Sequence, residues 1–202
     1  MFKKFVLAPV LTGAIALGAM ALPADARHRK EHRPTIAQIV AASGKGFDSN
    51  RADFDILLKA VSTAGLVDAL NNPSDRLTVF APNDSAFMRL ARGLGYTGSD
   101  EAGTWSFLVG ALTNLGGGDP IPVLTNVLLY HVHAGVLRPA DVFSSTRIST
   151  LLEGASFGVR GVELIDAAKS LRNPKLDLGA IDIKASNGRI HTITRVLIPV
   201  AL

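Results

Sequence analysis

The stretch that most constrains the chain is Leu77-Thr78-Val79-Phe80-Ala81-Pro82-Asn83-Asp84-Ser85-Ala86-Phe87. Leu77 to Phe80 is rich in β-branched and aromatic residues, so it reads as a short strand buried on both faces. Pro82 has no amide hydrogen to give to a ladder, which ends the strand. Asn83, Asp84 and Ser85 are helix-capping types, because a side-chain oxygen can accept from the orphan amides of a first turn. Phe87, Leu90 and Ala91 then recur at helical spacing. A core strand therefore turns sharply into a capped helix. The stretch has no glycine that would let backbone approach a phosphate, and no nucleophile elbow, so it is a poor catalytic loop.

Upstream, residues 1–26 have the anatomy of an export signal. Lys3 and Lys4 form a positive start, Val6 to Leu22 is apolar apart from Thr12, and Ala24-Asp25-Ala26 offers a small-x-small cleavage site. A retained membrane anchor is the alternative, since the apolar run approaches the ~18 residues that raise it. Pro9, the glycines and the many alanines argue against a spanning helix. The reading is therefore an export signal over 1–26, a basic linker over 27–33 and one folded domain over 34–200, with no integral span after cleavage. Removing residues 1–26 takes two lysines and one aspartate, leaving 19 basic and 16 acidic residues. Much of that small excess sits in Arg27-His28-Arg29-Lys30-Glu31-His32-Arg33, so the domain itself is close to neutral and nucleic-acid binding is not expected. The chain has no cysteine, which excludes disulfides, thiolate metal sites, thiol nucleophiles and a lipid-modified N-terminal cysteine.

Helical patterns dominate the first part of the mature chain. Thr35 can cap a short helix carrying Ile36, Ile39 and Val40, and Asp53 can cap one carrying Phe54, Leu57, Leu58 and Val61. Leu66 to Leu70 gives one more turn. Ser99-Asp100-Glu101 places acidic residues at a helix start, followed by Trp105, Leu108, Val109 and Leu112 as a stripe. Asp119-Pro120 opens another helix with Val123, Leu124, Val127 and Leu128, leading into Leu129-Tyr130-His131-Val132-His133. From Ile148 onward the pattern is strand-like, and Ser156 to Ile165 reads as a hairpin or a bulged strand. Ala180 to Ala185 alternates toward Asn187-Gly188, a strong hairpin signal, and Arg189 to Pro199 returns with alternation. Helices first and strands last, with one early strand between helices, argue an α+β domain.

Three segments, in order, resemble the signatures of the fasciclin-type (FAS1) domain. They are Thr78-Val79-Phe80-Ala81-Pro82 running to Ala86-Phe87, then Leu128-Leu129-Tyr130-His131-Val132, then Asn187-Gly188 through Ile190-His191 to Val196-Leu197 and Pro199. Many members have aspartate where this chain has Thr194. The resemblance covers about Pro34 to Pro199. It implies a FAS1 fold, a β-sandwich-like wedge of two sheets with several helices packed along one side. It also implies a non-catalytic adhesion module, exported to the periplasm, the cell surface or the medium, that contacts an extracellular protein or carbohydrate. In animal matrix members an Asp-Ile pair before the closing box and the Tyr-His region have been linked to receptor contact. The matching positions here are Asp182-Ile183 and Tyr130-His131. Some members carry pigments, so an apolar groove near Trp105 and Leu124, holding a carotenoid or lipid, is the alternative.

The remaining chemistry is sparse. His131-x-His133 would point one way on a strand, with His191 nearby in another box, but no third ligand sits at metal spacing. His131 and His191 read better as core residues with satisfied partners, and the resemblance implies that His131 ties its helix end to the Asn83–Asp84 turn. With Asn187 and Gly188 these form the structural motif set. Asp53 and Asp55 fit helix capping better than acid–base work. Asp48-Ser49-Asn50 begins like a calcium loop but lacks its glycine and terminal glutamate. Serines 85, 144, 145 and 149 have no adjacent base. The expectation is no catalytic residue, no metal site, no cofactor and a melting temperature indifferent to chelators. No heptad run or partner motif sets an oligomeric state.

Overall fold

The computed structural model describes residues 33–44 and 46–200; the expected export segment and all of the basic run except Arg33 lie outside these residues. The order is α1 (Ile36–Ser43), α2 (Asp55–Thr63), α3 (Val67–Asn71), β1 (Leu77–Pro82), α4 (Asp84–Gly93), α5 (Glu101–Leu115), α6 (Ile121–Tyr130), β2 (Val132–Ala134), α7 (Pro139–Ser144), β3 (Arg147–Ser149), β4 (Ser156–Arg160), β5 (Glu163–Ile165), β6 (Ile183–Ala185) and β7 (Gly188–Ile193). The fold is α+β.

Capping side chains set most helix starts. Thr35 and Gln38 form a reciprocal capping box on α1. Asn83 accepts from the Ala86 amide at 3.0 Å and Asp100 accepts from the Gly103 amide at 2.6 Å, starting α4 and α5. The start of α2 departs from the sequence expectation. Asp53 does not cap it; the cap comes from the distant Asp84, whose two oxygens accept from the Asp55 and Ile56 amides at 3.1 and 2.8 Å. A long-range cap of this kind leaves no trace in local spacing.

The strands form a four-stranded sheet in the order β2-β1-β7-β6 and a three-stranded antiparallel sheet β3-β4-β5. The central pair, β1 and β7, runs parallel from Leu77↔Gly188 to Pro82↔Ile193. Both faces of this pair are covered, as the continuous apolar run predicts. On one face Val79 and Ile190 join a core built from α1 to α6. On the other, Phe80 and Ile193 join Tyr130, Ile148, Phe157, Leu164 and Leu197 between the two sheets. Phe80 meets Phe157 edge-on with ring centroids 5.1 Å apart, a preferred aromatic geometry.

The closing hairpin forms, with its turn one residue earlier than Asn187-Gly188 predicts. Ala185 pairs with Gly188, so the turn is Ser186-Asn187. Gly188 instead serves close approach: a Cβ there would run into the Leu77 carbonyl of β1.

Candidate functional site

The two histidines of the signature boxes are buried, and each ring makes two hydrogen bonds. His131 is not on a strand but at the C-terminal end of α6. Its Nδ1 donates to the Val127 carbonyl at 2.7 Å, and its Nε2 accepts from the Leu197 amide at 2.9 Å. It therefore ties α6 to the C-terminal segment, not to the Asn83–Asp84 turn. The opposite tautomer suits His191, whose Nε2 donates to the Leu137 carbonyl at 2.9 Å while Nδ1 accepts from the Asp182 amide at 3.2 Å. Burial keeps both rings neutral, pushing His131 down to about 4 and His191 in the same direction. Both nitrogens of each ring are engaged, so neither ring offers a lone pair to a metal. His133 has different partners, its Nδ1 lying 2.8 Å from the Ser149 carbonyl.

Asn187 is the hub of the closing box. Its Oδ1 accepts from the Ile36 amide, and its Nδ2 donates to the Leu70 and Asn72 carbonyls, joining α1, the end of α3 and β7. It is fully buried.

Of the expected contact residues, Tyr130 is 2% exposed and His131 3%, so neither presents surface to a partner. The Tyr130 hydroxyl donates to the Ser156 carbonyl at 3.1 Å. Asp182 and Ile183 differ: both are half-exposed, at the start of edge strand β6. Asp182 has φ +66°, the left-handed region, and is alone among the described non-glycine residues in doing so. An ion pair to Arg189 and the hydrogen bond that its own amide donates to His191 Nδ1 hold it there.

Trp105 and Leu124 do meet in one groove. α4, α5, α6 and the segment Val196–Val200 enclose about 330 Å³ with a predominantly apolar lining. Trp105 is half-buried against the helical core and Leu124 is buried.

A feature the sequence reading took apart is a cluster of five carboxylates. Asp48 and Asp53 come from the α1–α2 connection, and Asp55, Asp84 and Glu101 from the first residues of α2, α4 and α5. Asp53, Asp55, Asp84 and Glu101 are all buried. Burial pushes Asp84 up to about 8, helped by the facing Asp53 carboxyl; burial also raises Asp55 and Glu101. Read singly, Asp55, Asp84 and Glu101 are helix-start residues and Asp48 and Asp53 are loop residues. Only the fold brings the three helix starts together.

The model of the Fasciclin domain family matches residues 52–199. An uncharacterised protein of Synechocystis sp. is 34% identical over 147 residues, which is 72% of this chain and 89% of that protein. Immunogenic protein MPB70 of Mycobacterium bovis is 32% identical over 158 residues, 76% of this chain and 67% of the relative. Among solved structures, a FAS1 domain pair from the insect cell adhesion molecule Fasciclin I superposes with a TM-score of 0.56 at 16% identity, covering 82% of this chain and 51% of that one. Among the described residues, no helix is long and apolar enough to cross a membrane. The match over residues 52–199 and the shared fold place this chain in the fasciclin domain family.

Proposed function

We propose that the protein is an exported, non-catalytic binding module that attaches to an extracellular protein or carbohydrate through the corner at Asp182-Ile183. The observation that supports this is the strained backbone of Asp182. A non-glycine residue in the left-handed region costs of order 1–3 kcal/mol and persists only where its surroundings over-determine it, which is characteristic of contact sites. Arg189 and His191 provide that restraint, so the corner is preorganised and binding need not order it. An array of extracellular proteins and glycans, incubated with the domain over residues 34–200, tests the reading. Saturable retention by a defined ligand class is the expected result, and no retention on any surface contradicts it.

A second reading rests on the groove. Its volume lies at the lower end of small-molecule sites, and its lining suits a carotenoid or lipid tail. Trp105 is the only tryptophan and lines the groove, so it reports occupancy directly. Saturable 1:1 quenching of its fluorescence by a carotenoid or fatty acid supports carriage. Unchanged fluorescence, together with a colourless solvent extract of native protein, removes it.

A further inference from the structure

The carboxylate cluster is organised beyond what helix capping requires. Asp55 Oδ1 accepts from the Gly46 amide at 3.2 Å, Glu101 Oε2 from the Asp48 amide at 2.8 Å, and Asp53 Oδ2 from the Asn50 side-chain amide at 3.0 Å. Each carboxylate is thus oriented through one oxygen. The other oxygen of each, Asp55 Oδ2, Glu101 Oε1 and Asp53 Oδ1, is fully buried without a hydrogen-bond partner. These three residues are 3%, 2% and 7% exposed. An unpartnered buried carboxylate oxygen is costly, and three in one place call for a compensating charge. No side-chain cation provides it: among the described residues, the two ion pairs are Arg138–Asp141 and Arg189–Asp182, both elsewhere.

The spacing fits an ion. Asp48, Asp55 and Glu101 form one triad, and Asp53, Asp84 and Glu101 a second, in each of which one oxygen per residue lies within 4.8 Å of the others. Magnesium dehydrates reluctantly and is held through one or two carboxylates, whereas calcium takes about six to eight oxygens, so a set of several protein carboxylates suits calcium better. The donors are all hard carboxylates, with no imidazole or thiolate, which disfavours zinc and copper. We propose that these two triads, Asp48, Asp55 and Glu101 on one side and Asp53, Asp84 and Glu101 on the other, form a divalent cation site that prefers calcium to magnesium and locks together the starts of α2, α4 and α5. Glu101 belongs to both triads and is the central ligand, while Asp48 closes the site from its exposed side. This departs from the metal-free expectation because that expectation followed histidine spacing and sought a contiguous calcium loop at Asp48-Ser49-Asn50. These ligands are carboxylates gathered from four separate segments.

The test is calorimetric titration of EDTA-treated full-length protein with calcium chloride, and separately with magnesium chloride, alongside melting curves. The expected result is saturable calcium binding with Kd on the order of 10⁻⁴ M, and weaker magnesium binding. About 5 mM calcium should then raise the melting temperature by several degrees, and EDTA should reverse the rise. Glu101→Gln abolishes the calcium response without lowering the calcium-free melting temperature, because it also removes buried charge. Asp48→Asn, at an exposed position that the fold tolerates, weakens calcium binding about tenfold and decides the matter should Glu101→Gln not fold. Asp68→Asn, an exposed acidic control, changes nothing. Absence of calcium binding in the unsubstituted protein overturns the proposal, the carboxyls then holding protons instead. Calcium binding that persists unchanged in both Asp48→Asn and Glu101→Gln overturns it as well, since the ion would then sit elsewhere.

Discussion

At the scale of the residue, His131 shows how a polar group becomes a fold determinant. Its ring replaces two lost water contacts with the Val127 carbonyl and the Leu197 amide, inside a core that leaves it 3% exposed. His131→Ala leaves both groups unsatisfied, at a cost of ~1–3 kcal/mol, which lowers the melting temperature by several degrees. The same residue sets a pH response. The ring's pKa is about 4 in the fold and about 6.5 in the unfolded chain, so the unfolded chain takes up the proton first. Its contribution is complete above pH 6.5 and is lost as the pH falls toward 4. Urea titrations of the unsubstituted protein and His131→Ala should show a stability gap that narrows by about 1–2 kcal/mol from pH 7 to pH 5. A gap that stays constant would mean that the ring is not held neutral. That His131 is a core residue was legible from its place beside Tyr130 in an apolar run. Its partner was not, because Leu197 lies 66 residues away and hydrogen-bonding distance across a core has no local signature.

At the scale of the element, β1, its turn and α4 were legible because strand composition, proline and capping residues all agree within eleven residues. The hairpin at β6 and β7 was legible as a hairpin but not in register. Asn187-Gly188 matches a tight-turn signal, yet Asn187 is held by α1 and α3, and Gly188 is needed for the approach of β1. Tertiary demands at those two positions override the local turn preference. Gly188→Ala should therefore separate the two central strands and destabilise the domain by about 3 kcal/mol, measured by equilibrium denaturation. A loss below about 0.5 kcal/mol would show that the strands can move apart at little cost. The cap on α2 teaches the same lesson. Asp53 has the right chemistry in the right local place, but Asp84 arrives from another helix and takes both amides.

At the scale of the whole molecule, the proposed division of labour is between buried polar residues that fasten the fold and a half-exposed corner at Asp182-Ile183 that serves recognition. Export belongs to this scale, and N-terminal sequencing of the native protein tests it: a start at or near Arg27 is expected, and an intact Met1 start in membrane-extracted protein contradicts it. The division itself is tested most directly by melting and attachment measured together on Asp182→Asn and His131→Ala. Asparagine tolerates the left-handed backbone of Asp182 while removing its charge, so its melting curve should move by less than about 1 kcal/mol equivalent. Attachment to the ligand found on the array should fall at least tenfold in Asp182→Asn. His131→Ala, assayed well below its lowered melting temperature, should attach normally. The contradicting result is the reverse pattern: full attachment by Asp182→Asn, with loss of attachment in folded His131→Ala.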